Sequence, residues 1–446
     1  MIRRTILEWK SIRYGDGDDA IPDWAADRIA AVARRSKLGG ESGTRVLTQG
    51  RTELRAAQVV GVIAAQDCAL EILPKIDFGS DGAINVGLIR RQLIHMLAVA
   101  LDVEIDTGAV TELGWQKENL LEILIGLFAR KLSDALRKGM PRRYVGVDED
   151  LPVLRGRMNV TRQVTSFAFS PHILACRYDA LSPDIALSQI MKAAVRRLLR
   201  LSCVSETQRR LREIDFVYSD ITDVPVRSLR WHEVVIDRTN TIWKELLALA
   251  RLLLGERFQS TSIGSTTGFA LLFEMNTLFE RYIARMLQRA LAGSSRTVHA
   301  QGGRLHCLES IPDSRRLFMT KPDILVMSNG ASDLLIDTKW KRLSTLSEDP
   351  KQGVSQADVY QMMAYGRVYQ CGKLLLLYPH HAGLSGKDGH TAHHRIVGGG
   401  EVLSMATVDV SRGSVLVVDS LRTLVNELVS RGHYNEGNIR RAGDRI

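Results

Sequence analysis

The 446-residue sequence predicts a mixed α/β (α+β) fold in three parts, and three observations carry that expectation. In the first part, short runs rich in Val, Ile and Leu (45–47, 58–64 and 69–73) alternate with Gly, Asp and Ser, the pattern of a β-rich domain. In the second, Leu120, Leu121, Leu124, Leu127, Phe128, Leu132 and Leu136 make an apolar stripe at helical spacing. In the third, two apolar runs flank Asn329-Gly330, a hairpin signal. The expected division is a β-rich N-terminal domain over 1–110, a mostly helical middle domain over 111–260 and an α/β domain over 261–446, since a chain this long exceeds one ordinary core.

Within the first part an early helix is expected around Trp24 to Arg35, and the whole reads as a docking module. The helix of the second part should stop at Gly139 and Pro141. Another should begin at Ser182-Pro183-Asp184, with Ser capping, Pro in the first turn and Asp complementing the dipole. Lys192, Arg196 and Arg200, with Arg197 beside them, recur along that helix; a solvated face is the expected reading, a phosphate-tracking face the alternative. Arg155, Arg157 and Arg162 form a second basic group for DNA or a partner subunit.

The third part is the most informative. Leu271, Leu272, Met275, Leu278, Phe279, Tyr282, Ile283, Met286 and Leu287 predict an amphipathic helix with Glu274 and Glu280 flanking its stripe. KPDILV and LLIDTKWK then form the hairpin strands. Asp323 and Asp337 each lie seven positions from Gly330, so they should stand opposite one another to within a residue or so of register, and Asp337 and Lys339 share a face with Thr338 on the other. Residues 358–368 read as a second helix, with Gln361 and Tyr365 one turn apart. A strand over Val415 to Val418 and a helix over Leu421 to Arg431 complete the chain.

Two facing carboxylates repel in a partly dehydrated setting, and a hard divalent cation relieves the repulsion; magnesium or manganese is expected. Such an ion polarises a phosphodiester, while Lys339 can orient water or offset charge on phosphorus, so the implied reaction is phosphodiester hydrolysis. A bare acid-x-Lys triplet is ordinarily a surface ion pair, and Glu8-Trp9-Lys10 and Asp349-Pro350-Lys351 are read that way. Asp337-Thr338-Lys339 differs because it ends an apolar strand that faces a second carboxylate.

The order of parts, helix with Glu, Pro-Asp strand, Asp-Thr-Lys strand and Gln-x-x-x-Tyr helix, resembles the PD-(D/E)xK nuclease superfamily. The segments MNTLFERYIARML, KPDILV, LLIDTKWKRL and DVYQMMAYGRVY, with VGVIAAQDCALEILPKID, LPVLRGRMNVTRQV and CRYDALSPDIALSQIMKAAVRRLL upstream, look like McrC, the nuclease subunit family of McrBC modification-dependent (type IV) restriction systems. The resemblance implies a restriction-endonuclease-like C-terminal domain and favours Glu280 over Glu274. It implies that Asp323, Asp337, Glu280 and the Thr338 carbonyl hold one or two magnesium ions. Lys339 then positions the attacking water, and Gln361 and Tyr365 support the site. It further implies a partner, a hexameric McrB-like AAA+ GTPase acting on double-stranded DNA with modified cytosine, to which this chain docks through its N-terminal region and whose GTP hydrolysis it stimulates. A stand-alone repair nuclease and a silent adaptor of an AAA+ ring are the alternatives.

Composition fits an enzyme that meets a polyanion: 60 Lys and Arg against 50 acids give a net charge of +10. Cys68, Cys176, Cys203, Cys307 and Cys371 form no Cys-x-x-Cys pair and are expected to be buried. His380, His381, His390, His393 and His394 lie in a Gly-rich stretch read as a surface loop. Gly372-Lys373 and Gly386-Lys387 lack the spacing of a phosphate-binding loop. No signal segment and no run of about 18 apolar residues is visible, so no membrane association and a cytoplasmic location are expected.

Overall fold

The computed structural model describes residues 2–36, 38, 46–76, 85–103, 118–170, 172–238, 241–254, 268–343, 354–384 and 388–430. Helices and sheets are mixed throughout, and the chain forms two compact units, residues 1–120 with 260–446 and residues 121–259.

In the first unit, a four-stranded sheet runs in the order Ile2–Leu7, Cys68–Leu73, Val59–Ala65, Phe269–Glu274. Its central strands are buried on both faces, which is why they read as unbroken apolar runs. The helix Asp23–Arg34 covers the sheet with Ala25, Ala26, Ile29, Ala30, Val32 and Ala33. The fourth strand arrives from far along the chain, with Leu272 opposite Gly61. Only glycine fits there, because a Cβ on Gly61 would stand 1.8 Å from the Leu271 carbonyl oxygen.

That strand corrects one expectation. Residues 271–274 are not the start of the amphipathic helix, which spans Met275–Ala290. Leu271 and Leu272 fit the helical stripe and also a strand buried on both faces, so periodicity could not mark the boundary.

A six-stranded mixed sheet follows, in the order Arg296–Ala300, Ile324–Ser328, Ala331–Thr338, Lys373–Pro379, Val402–Val408, Gly389–Arg395. Asn329 (φ 50°) and Gly330 (φ 80°) both adopt the left-handed conformation that a tight hairpin demands. Pairing of Ile324 with Ile336 closes the ladder and leaves Asp323 and Asp337 at its end. The helix Gln356–Val368 lies between the parallel strands Ala331–Thr338 and Lys373–Pro379, the right length for a crossover.

Two further expectations are corrected in this unit. Residues 415–418 belong to a single helix, Ser414–Ser430, because Val417, Leu421, Leu424, Val425 and Leu428 form one buried stripe and valine disfavours a helix only slightly. The histidine stretch is not simply a loop: Gly389–Arg395 is a strand paired with Val402–Val408, and His381 is buried with its Nε2 donating to the Leu343 carbonyl at 3.1 Å. Gly386-Lys387, Asp349-Pro350-Lys351, Arg45 and Arg431 lie outside the described residues.

The second unit packs Ala186–Leu201, Ser205–Val217 and Trp243–Leu254 beside the helix that begins at Leu120. It also holds a long antiparallel pair, Arg143–Leu151 with Leu174–Ser182, that a helical reading of this region omits. The helix after Ser182-Pro183-Asp184 starts only at Ala186; Asp184 instead accepts from the Thr222 N–H and Gln189 Nε2. The basic stripe is solvated only in part: Arg200 is exposed and Arg196 half-exposed, whereas the start of the stripe is taken up inside the unit. Lys192 is buried with Nζ donating to the Ile221 carbonyl at 2.5 Å, and Arg196 pairs with Asp215 and Asp223. Cys68, Cys176 and Cys371 are buried as expected, whereas Cys203 and Cys307 are exposed. Among the described residues no helix is long and apolar enough to cross a membrane.

Candidate active site

Four elements meet at the end of the six-stranded sheet where Ala331–Thr338 terminates. Asp337 and Thr338 are its last residues, and Lys339 follows, its N–H bonded to the Leu377 carbonyl at 2.9 Å. Asp323 immediately precedes the neighbouring strand. The Met275–Ala290 helix brings Glu280, and the Gln356–Val368 helix brings Gln361 and Tyr365. The carboxyl ends of parallel strands are where open α/β sheets leave room for ligands.

The side chains form a connected chain of contacts. Lys339 Nζ stands 2.7 Å from Asp337 Oδ2 and donates to Gln361 Oε1 at 3.2 Å. Gln361 Nε2 in turn donates to Tyr365 Oη at 2.8 Å, whose own hydroxyl reaches the Lys321 carbonyl at 3.3 Å. Asp323 Oδ2 accepts from both the N–H and the hydroxyl of Thr338, each at 2.8 Å. Thr338 was expected on the opposite face. Its hydroxyl reaches Asp323 because that residue lies beyond the last ladder pair, where a carboxylate takes the place of a backbone acceptor.

Charge is unbalanced in this small volume. Burial and then the Asp323 charge push the Asp337 carboxyl up to about 6, against the pull of Lys339. Burial likewise raises Asp323, in spite of its Thr338 bonds, and burial followed by the Asp323 charge raises Glu280. Burial pulls Lys339 down, but Asp337, Asp358 and Asp323 outweigh it and hold the ammonium charged above its usual range. The two members of the Lys339–Asp337 pair thus respond to a site where carboxylates outnumber ammonium groups: the acid holds its proton more tightly, and so does the amine.

Hard oxygen donors in excess negative charge are the chemistry that magnesium or manganese takes. Asp337 Oδ2 is buried and faces the Lys339 ammonium at 2.7 Å, so the carboxylate is held by an ion pair at the point where the charges converge. Among the described residues no three His, Cys, Asp or Glu side chains already form a metal cluster, so the fit is of Asp323 and Asp337 as a pair, with Glu280 coupled to them through its charge. Glu274 ends the strand Phe269–Glu274, where it bonds Thr277.

Sequence reasoning missed Asp358, Lys341, Asn276 and Trp340. Asp358 bridges Lys341 at 2.5 Å and Lys339 at 3.6 Å, and two lysines draw its carboxyl below the usual range despite burial. Its signal was present: Asp358 precedes Gln361 by three, on the same helix face. Trp340 and Asn276 gave none, since their partners are distant in sequence.

Fold and centre together define a mixed α/β protein whose sheet ends in an oxygen-rich, net negative cluster that holds the half-buried Lys339 ammonium. A sequence model of the family described as McrBC 5-methylcytosine restriction system component matches residues 54–379, and the chain belongs to that family. A refined half-complex of Thermococcus gammatolerans McrB AAA+ hexamers with bound McrC contains a chain of similar fold, at TM-score 0.68 and 21% identity over 95% of this chain and 99% of that one. A chain of the T. gammatolerans McrBC complex, determined by cryo-electron microscopy, matches at TM-score 0.50 and 24% identity, covering 65% and 88%. At these identities the likeness is one of fold. No curated protein matches the sequence.

Proposed function

We propose that this chain is the nuclease subunit of a modification-dependent restriction complex, hydrolysing phosphodiester bonds of double-stranded DNA that carries modified cytosine, in company with a hexameric McrB-like AAA+ GTPase. The observation that carries the reading is the position of Lys339 Nζ, 2.7 Å from Asp337 and 3.2 Å from Gln361, beside the Asp323 carboxylate that faces the same strand end.

Asp323, Asp337, Glu280 and the Thr338 carbonyl are the groups that would hold magnesium or manganese, which when bound polarises the phosphodiester and acidifies water. Lys339 keeps its proton, so it acts as a fixed positive charge that orients water and offsets charge growing on phosphorus. Gln361 holds the ammonium in place and passes a hydrogen bond to Tyr365, which is anchored on the backbone at Lys321. Family membership and fold likeness to a McrC-bound McrB assembly support the GTPase partner.

The test is cleavage of methylated and unmethylated plasmid by this protein with its AAA+ partner, GTP and magnesium, wild type against Asp337→Ala. Cutting that requires partner, GTP, methylation and Asp337 is expected. Cutting that needs Asp337 alone would indicate a stand-alone nuclease, and GTPase stimulation without cutting would indicate an adaptor.

A further inference from the structure

The residue after Lys339 is tied to the N-terminal sheet. Trp340 is buried, and its indole Nε1 donates to Glu8 Oε1 at 2.7 Å. The same oxygen accepts the Lys75 N–H at 2.9 Å, so Glu8 joins the strand Ile2–Leu7, the segment after Cys68–Leu73 and the end of the Asp337 strand. The Trp340 carbonyl accepts from Gln58 Nε2 at 2.8 Å, and its N–H donates to Asn276 Oδ1 at 3.0 Å. The ring packs edge-on against Phe279, with centroids 5.3 Å apart.

Glu8 is an unusual residue to find here. It is 1% exposed, and its Oε2 is buried without a hydrogen-bond partner. Burying a carboxylate is costly unless it is hydrogen-bonded and paired; burial raises the Glu8 carboxyl, and the bonds from Lys75 and Trp340 with the charges of Lys75 and Arg342 oppose it. Trp9, next in sequence, holds a left-handed φ of 62°, rare for an aromatic residue, where the chain leaves the strand. The Glu280 helix springs from the same platform, since Met275 directly follows the sheet's fourth strand.

We propose that Glu8 is a positioning residue for the candidate centre, fixing Trp340 and through it the strand end that bears Asp337 and Lys339, so that the N-terminal sheet is part of the catalytic scaffold as well as any docking surface. The manganese arm rests on the metal site of the proposed function and the kinetic arm on its nuclease reading. The tie at the strand end and the origin of the Glu280 helix both mean that loosening Glu8 misplaces charged groups of the centre.

The experiment compares Glu8→Ala, Glu8→Gln and Trp340→Phe in the full chain, each checked for cooperative thermal unfolding. Manganese binding by electron paramagnetic resonance reads the centre without catalysis, and cleavage with the AAA+ partner reads kcat and KM. Expected are a several-fold loss of manganese affinity and a roughly tenfold lower kcat with unchanged KM in Glu8→Ala and Trp340→Phe. Glu8→Gln should recover most of both, because its amide oxygen still accepts from Trp340. If Glu8→Ala does not fold, Trp340→Phe, which keeps an aromatic ring but removes the donor, decides. Folded variants with wild-type manganese affinity overturn the proposal. Manganese binding that depends on Glu8 in a wild type that cuts no DNA would instead remove the nuclease reading and keep the scaffold.

Discussion

Asp323 Oδ2 accepts two hydrogen bonds from one residue, the N–H and the hydroxyl of Thr338, both at 2.8 Å. This fixes one carboxylate of the pair through the strand that carries the other, so the spacing of the two acids is set by the hairpin. Thr338→Val keeps the shape and removes one bond to a charged acceptor. A loss of about 1.5–3 kcal/mol in stability is expected near neutral pH, and denaturant unfolding checks it. An unchanged midpoint would show that the hydroxyl bond adds nothing.

Asp337 gives a pH dependence with a definite sign. Its carboxyl titrates at about 6 in the fold, against an ordinary aspartate value of 3.8. The folded state therefore holds the proton more tightly, and stability falls as pH rises from about 4 through about 6 and stays reduced above. Asp337→Asn removes that penalty. The metal-free variant should be more stable than wild type by up to about 3 kcal/mol above about pH 7, with the gain vanishing near pH 4. Thermal melts across that range read it directly, and magnesium should stabilise wild type but not the variant.

The hairpin was legible because Asn329-Gly330 leaves few alternatives for a short connection between apolar runs, and counting set Asp323 opposite Asp337 to within a residue; a bulge at Asp333, between the Met327 and Val326 pairs, brings the two into line. What was illegible depended on distant partners. Glu8 looked like a surface acid beside Lys10, yet it is buried against Trp340, 332 positions away. Lys192 looked like part of an outward face because a helical repeat states which residues share a side and not what covers it; the segment 219–223 takes up its ammonium and pairs with the half-exposed Arg196. The strand Phe269–Glu274 was hidden because its apolar run merges with the next helix's stripe.

Lys339 is held on three sides, by Asp337, Gln361 and Asp358. Lys339→Ala should reduce cleavage by about a hundred- to a thousandfold, the scale of removing a preorganised donor from a reacting centre. Asp358→Asn keeps the shape but lessens the hold on Lys339 and Lys341. A smaller loss, roughly tenfold or about 1.4 kcal/mol, is expected in single-turnover rate. Equal losses in the two variants would mean that Asp358 acts on the chemistry itself.

Tyr369 ties the approach to the Asp323 strand without touching the charged cluster. Its hydroxyl accepts from the N–H groups of Arg304 and Leu305 at 3.1 and 3.3 Å and bonds the Thr320 hydroxyl at 3.0 Å. The ring lies against Gly303, which has φ +91°, and a Cβ there would stand 2.2 Å from Tyr369 Oη. Gly303→Ala therefore meets both a clash and an unfavourable backbone conformation, and a loss of more than about 2 kcal/mol is expected. Tyr369→Phe leaves the buried Thr320 hydroxyl one partner fewer and should cost about 1–2 kcal/mol. Because the ring and hydroxyl act on the backbone leading into Asp323, both variants should lower thermal stability more than they lower the rate of the folded fraction. A folded Tyr369→Phe protein that lost cleavage as fully as Asp337→Ala would instead place this hydroxyl within the reacting centre.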